Sequence, residues 1–399
     1  MDPVCEAAKR FFPSAVELRR YFHQNPEPSR FEEGTQKRII EELGKIGITE
    51  IKTYYNTGVA AVIRGGRPGK TIGIRADIDA LYVEEKTDLP FASRNPGVCH
   101  ACGHDGHIAM VIGAAKVLWD IKDSLCGNVK LIFQPAEEDG MNGGGSQHMI
   151  REGVLTDEPA VDFVIGQHIA PVYEVGQILS RPGPLFSTSD LFTITVKGKG
   201  GHSAFPQQGR DPVVAQAQIV LALQTIVSRT RDPFDPVVIS IGTVNGGTRH
   251  NIIPDTVTLS GSGRSFTEET SAMIRRRIRE ICDGVACAMD LKVDVEFKKS
   301  YGPVNNDREM YNRCAEWVRG VLGEDSFLEA DRPQMAGEDF ANFSAAVPGV
   351  FFLVGAKCRD REQHSLHSAY FTFDEEALYY GICNLSAVAA GYLSGKEGE

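Results

Sequence analysis

Two thiols, three imidazoles and a carboxylate are crowded into one short run, Cys99, His100, Cys102, His104, Asp105 and His107, which opens a predicted helix. These are metal-ligand types, and thiolate with imidazole suits zinc, cobalt, manganese or nickel better than magnesium or calcium. Cys102 and His104 stand two apart and can reach one centre from a loop, while Asp105 can orient a ligand from behind. Taken alone, the run also fits a redox pair at Cys99 and Cys102, or a closed structural zinc site. A structural site, however, has no need of acidic residues elsewhere in the chain.

Such residues are present. Gln134-Pro135-Ala136-Glu137-Glu138-Asp139 follows a predicted strand at 129–133 and places acids at a strand's carboxyl end, where α/β sheets build their sites. Pro135 argues against continued strand pairing, so the segment should turn out at that edge. Adjacent carboxylates there can divide labour, one binding metal and the other taking a proton from the attacking water. A solvated acidic loop is the plain alternative. Another buried-type strand, beginning at Thr71, ends in Asp77 and Asp79. His168 follows the apolar run 163–165, and His367 lies in a loop after 351–354. A single histidine is commonly an ordinary hydrogen-bonded residue, so the weight of these two comes from their position at the same sheet edge.

The elements that must carry these residues alternate between helical and strand periodicities. Residues 31–46 form an amphipathic helix stopped at Gly47, and short apolar runs at 59–63, 71–74, 129–133 and 163–165 surround a helix at 107–119. Strands separated by helices predict an α/β fold with a mostly parallel sheet covered on both faces. The pattern changes near Leu185. From there the order is strand 192–196, helix 211–228, strands 237–244 and 256–259, helix 268–288 and strand 291–297. That order is a compact ferredoxin-like α+β unit in itself. Helix 310–322, strand 350–354 and helix 374–393 then restore the first pattern. The expected division is therefore 1–184 with 299–399 as the metal-binding catalytic domain, and 185–298 as the insertion.

Bulk composition narrows the function classes. A chain of 399 residues is too long for one ordinary core. A formal charge of -11 argues against nucleic acid as a partner, since phosphate binding needs a basic surface. No stretch reads as approaching the roughly 20 apolar residues of a membrane span, and 1–13 does not resemble a secretory signal. Nine cysteines spread along the chain do not read as a disulfide framework, which points to a reducing cytoplasm.

The segments Ala76-Asp77-Ile78-Asp79-Ala80-Leu81, His100-Ala101-Cys102-Gly103-His104-Asp105-Gly106-His107, Gln134-Pro135-Ala136-Glu137-Glu138, Gly201-His202-Ser203-Ala204, Asn251-Ile252-Ile253-Pro254-Asp255 and Gly337-Glu338-Asp339-Phe340 resemble the M20 metallopeptidase family. More narrowly, they are similar to its aminoacylase, hippurate hydrolase and indole-acetyl-amino-acid hydrolase branch, to which a cysteine in the metal motif is specific. The resemblance implies hydrolysis of the amide bond of N-acyl amino acids with two divalent metal ions, manganese, zinc, cobalt or nickel. A carboxypeptidase or dipeptidase using the same machinery is the alternative. It also implies roles. Cys102 would bridge the metals, His104 and His168 would complete one, and Glu138 and His367 the other. Glu137 would be the general base, with Asp79 and Asp105 supporting from behind. His202 would help bind the substrate carbonyl, often in a partner subunit's site, and Asn251 and Arg264 would hold the substrate carboxylate. A homodimer through the inserted unit, acting as lid and dimerisation domain, is expected from its isolated sheet and from this role of His202. Three positions depart from the pattern: Tyr82 and Ala369 stand where proline is usual, and Cys99 replaces a methionine, adding a possible ligand or oxidation-prone pair.

Overall fold

A computed structural model describes residues 2–299 and 301–395. It separates into two compact units, Met1–Leu185 with Asn305–Arg332 and Asp339–Glu399, and Phe186–Val304 with Pro333–Glu338.

The first unit is organised on an eight-stranded sheet. Its centre is a parallel block in the order Cys126–Gln134, Arg67–Asp77, Phe163–Ala170 and Gly349–Gly355. Antiparallel neighbours, Gly58–Arg64 on one side and Ile178–Ser180 on the other, flank that block. Every residue of Phe163–Ala170 and Gly349–Gly355 is buried, as expected of strands covered on both faces. Helices Pro3–Gln24, His104–Ile121 and Ala377–Tyr392 share one apolar core with this sheet. The last two approach so closely that a side chain at Gly113 would lie 2.4 Å from Ile382 Cδ1. This packing fixes the helix whose first residue is His104. Gly103 enters it at φ 87°, a conformation that only glycine adopts without strain.

Two features differ from expectation here. The helix opens at His104, three residues before the predicted start, so His104 and His107 lie on its first turn and Cys102 just ahead of it. A 22-residue helix, Pro3–Gln24, occupies a region the sequence left without structure. Pro13 lies inside it and obscures the periodicity, but Asp2 caps Val4 and Pro3 sits at the first turn, where proline is tolerated.

The second unit holds a four-stranded antiparallel sheet in the order Val238–Gly246, Thr256–Arg264, Asp190–Lys197, Lys292–Lys299. Helices Pro212–Thr225 and Glu268–Met289 complete the ferredoxin-like order. Along Asp190–Lys197 the alternate residues Phe192, Ile194 and Val196 are buried and share a core with Ile219, Leu223, Ile274 and Ile278.

Two corrections follow. The second unit extends past the expected boundary at 298 to Val304, and residues 333–338, expected in the catalytic domain, also belong to it. The amide of Ser187 donates to the carbonyls of Gln334 and Ala336 at 3.1 and 3.0 Å, holding the segment there by backbone pairing invisible to periodicity. The expectation that no stretch approaches a membrane span also fails, because Pro212–Thr230 is long and apolar enough by length and composition. Ala215, Ile219, Leu223 and Ile226 bury one side of it, while Val213, Val214 and Leu221 are exposed on the other.

Candidate metal centre

The candidate donors meet in the first unit. Cys102 Sγ lies 3.4 Å from His168 Nε2. His168 Nδ1–H donates to the Ile169 carbonyl at 2.7 Å, which leaves the Nε2 lone pair aimed at the thiol. His104 Nδ1–H donates to the Asp79 carbonyl at 2.9 Å. Its Nε2 is buried without a hydrogen-bond partner and stands 3.9 Å from Glu138 Oε1. His367, at φ 67°, donates its amide to the Ala101 carbonyl at 2.8 Å and brings Nε2 to 3.2 Å from the same Glu138 oxygen. Donor atoms of Cys102, His104 and His168 all lie within 4.8 Å of one another, and so do those of Cys102, Glu138 and His367. The thiol is common to both sets. Glu137 joins a further group with His104 and Glu138 at the same spacing.

The charge balance suits a cation. Burial, then Glu138 and Glu137, push the Cys102 thiol well above its ordinary range. Burial alone would lower His104, but Asp77, Asp79 and Glu138 outweigh it and raise the imidazole to about 10. A divalent cation would neutralise these acids and take the orphaned His104 nitrogen, and a thiol, imidazole and carboxylate set fits zinc-like ions. The turn carrying the acids is anchored through Glu138, whose amide donates to Asp79 Oδ2 at 3.0 Å. That oxygen also accepts from Ser29 Oγ at 2.6 Å.

A model of Peptidase family M20/M25/M40 matches residues 73–390. The chain belongs to this family. It is 39% identical to N-acetyl-L-cysteine deacetylase of Bacillus subtilis, over 91% of this chain and 84% of that protein. Thermostable carboxypeptidase 2 of Saccharolobus solfataricus is likewise 39% identical, over 92% of each chain. Among solved structures, a Bacillus subtilis protein described as a dinuclear metal-binding peptidase of the M20 family matches with a TM-score of 0.84 and 34% identity. That match covers 96% of this chain and 99% of the other. The chain is thus an M20 hydrolase with donor groups that fit divalent metal.

Behind the donors of this M20 chain stand residues to which the sequence reading assigned no role. His107 looks like a ligand, yet Nδ1–H donates to Asp77 and Nε2 accepts the Ile169 amide at 2.9 Å, so both ring nitrogens are committed. Asp77 is held by Arg75 at 2.8 Å, and Arg75 also reaches Gln134 at 2.8 Å and Asp339 at 2.7 Å. This fully buried chain ends at Ile169, whose carbonyl orients His168. The alternation of Arg75 and Asp77 within an apolar strand was the available signal.

Asp105 is placed where expected, directly after His104, and its Oδ2 accepts from Arg19 Nε and His23 Nδ1, each at 2.9 Å. Burial would raise this carboxyl, but Arg19 and His23 outweigh it and hold it well below the usual range. Arg19→Met, which strips a buried carboxylate of its guanidinium, should cost about 3–5 kcal/mol in urea unfolding. A loss under 1 kcal/mol would show that the pair contributes little. Cys99 is buried in the core, its thiol pushed up to about 12 by burial, and it enters none of the donor groups among the described residues. Tyr82 is exposed.

The remaining candidates belong to the second unit. His202 is exposed on Gly201–His202, which pairs with Ile252–Ile253. Its Nδ1 accepts the Ala204 amide at 3.1 Å, so the ring hydrogen of the neutral form resides on Nε2. Asn251 accepts the Ser203 amide at 3.1 Å through its carbonyl. Arg264 ends the strand Thr256–Arg264 half-buried, and a side chain at Gly337 would lie 3.0 Å from its guanidinium.

Proposed function

We propose that this M20 hydrolase cleaves the amide bond of N-acyl amino acids with an apolar acyl side, releasing a carboxylic acid and the free amino acid. One observation carries the reading: two donor sets share the Cys102 thiol, and a carboxylate outside both sets, Glu137, lies within reach of them. Cys102, His104 and His168 would hold one ion, and Cys102, Glu138 and His367 the other, with manganese, zinc, cobalt or nickel suited to the donors. When bound, the ions supply Lewis acidity that polarises the carbonyl and eases deprotonation of water. Glu137 takes the proton from the attacking water and passes it to the leaving amine. Asp79 fixes His104 and the acid turn, and Asp105 holds the start of the metal helix. His202 offers an N–H to the carbonyl oxygen. Asn251 and Arg264 receive the substrate carboxylate, which a guanidinium binds through two parallel hydrogen bonds.

The carboxypeptidase name of one relative favours a second reading, in which short peptides with a free carboxylate are cut by the same groups. Metal-stripped protein, reloaded with manganese, cobalt or zinc, should hydrolyse N-acetyl and N-benzoyl amino acids. Cleavage of dipeptides alone would overturn the acyl amino acid assignment. Chelation should remove this hydrolysis while far-UV circular dichroism stays unchanged, because the first unit has an extensive apolar core independent of the donors. Unfolding on chelation would mark a structural metal instead.

The second unit supports a homodimer as part of this proposal. Val238–Gly246 is an edge strand with exposed Val238 and Val244, and Val213, Val214 and Leu221 are exposed on the helix of the same unit. Unpaired edges and apolar patches are normally covered. Light scattering should return about twice the 43.6 kDa of one chain, and Leu221→Glu should shift the mass toward the monomer. An active wild-type monomer would remove the claim.

A further inference from the structure

Glu32 lies far from the metal motif in sequence and has no part in the reaction scheme, yet its side chain is completely buried. A single oxygen, Oε1, accepts two backbone amides, from Arg30 at 3.0 Å and from Ala136 at 2.9 Å. Both donors are non-glycine residues in the left-handed region, Arg30 at φ 75° and Ala136 at φ 55°. Such backbone is unfavourable for a residue bearing a Cβ and persists only where the surroundings hold it. Oε2 faces the Thr57 hydroxyl at 2.6 Å, a group that can donate or accept.

Ala136 is the residue immediately before Glu137. On the other side of Glu137, the amide of Glu138 is gripped by Asp79. The base is therefore carried on a short turn anchored at both flanks by buried carboxylates from distant parts of the chain. The loop that supplies Glu32 is tied to the same turn again, through the ion pair of Arg30 with Asp139 at 2.5 Å, and Ser29 shares Asp79 with Glu138. If Glu32 served only general stability, there would be no reason for the same oxygen to hold left-handed Arg30 in its own loop and left-handed Ala136 beside the base.

We propose that Glu32 is a positioning residue for Glu137: its carboxylate clamps Ala136 in left-handed backbone and so aims the base. The proposal rests on the hydrolytic reading for its kinetic consequence, but its structural content is measurable without turnover. Glu32→Met keeps the volume and cannot accept the two amides. It should lower kcat about a hundredfold, the scale on which a small misplacement of a reacting group acts, with KM and metal content unchanged. Hydrogen exchange of the peptide spanning 135–139 should accelerate in the same variant. Glu32→Gln retains an acceptor oxygen for both amides and an amide group for Thr57, and should stay close to wild type in both readouts.

Unchanged kcat in Glu32→Met, or unchanged exchange of the turn, would overturn the proposal. So would a Glu32→Gln variant as impaired as Glu32→Met, since charge rather than the clamp would then matter. Should Glu32→Met fail to fold, wild-type exchange decides: an Ala136 amide exchanging at the rate of an unprotected loop amide refutes the clamp, and a protected one upholds it. Wild-type protein that hydrolyses no acylated amino acid would fail the functional reading, while the exchange comparison would still decide the clamp.

Discussion

Glu137→Gln is expected to lower kcat on N-acyl amino acids by 10²- to 10⁴-fold, about the range that positioned general bases contribute, while leaving metal content and KM near wild type. The argument is one of division between neighbours. Glu138 lies beside His367 and His104, so its loss should disturb metal binding as well as turnover. Glu137 is buried in the same turn and stands outside both thiol-sharing donor sets. Glutamine preserves its shape and removes only the ability to accept and return a proton. Metal analysis and stopped-flow turnover on the same preparation test this directly. Loss of metal with activity would reassign Glu137 to metal binding, and retention of full turnover would remove it from the mechanism. Glu137→Gln should also accumulate bound substrate, because the carbonyl and carboxylate contacts do not depend on the base.

Much of the fold and of the candidate donor cluster could be read from the chain because both are written in local pattern. Continuous apolar runs such as 163–165 announce strands covered on both faces, and the period of two in 192–196 sets the inserted sheet apart. Cysteine and histidine are rare enough that their crowding near Cys102 is itself a signal. What escaped depends on partners distant in sequence. Arg75 and Asp339 meet across 264 positions, and within a strand an arginine reads as a solvent contact until its carboxylates are known. His107, counted only among residues of metal-ligand type, is the opposite case. Its residue type and helical spacing suggest a ligand, but its two committed nitrogens show a residue that orients others. Residues 333–338 were misplaced for a related reason: backbone pairing with Ser187 leaves no trace in side-chain periodicity. The apolar helix at 212–230 was under-read because its exposed valines and leucine resemble core residues when only spacing is considered.

Cys102→Ala should have the second large effect, and a different one. In the proposed scheme this thiol is the only donor common to both ions, so its removal is expected to reduce both occupancies rather than one. Metal content after gel filtration should fall from two ions per chain toward none, and turnover should drop about a thousandfold or more, beyond the 10- to 100-fold typical of residues that merely orient a ligand. Cobalt-loaded wild type should show a thiolate-to-metal absorption band that the variant lacks. The fold should survive, because the substitution removes one sulfur at the edge of a large core. Cys102→Ser sharpens the test: a hydroxyl is a poorer ligand than a thiolate for these ions, so it should rescue the packing and not the metal. In the same scheme His104 serves one ion and His367 the other, so His104→Ala and His367→Ala should each leave one ion bound. If Cys102→Ala instead retained one ion with the cobalt band intact, the band would belong to another thiol and the shared-donor arrangement would be wrong. If His104→Ala and His367→Ala emptied both positions as Cys102→Ala does, the two sets would form one indivisible cluster, and the separate assignment of His168 and Glu138 would have to be abandoned.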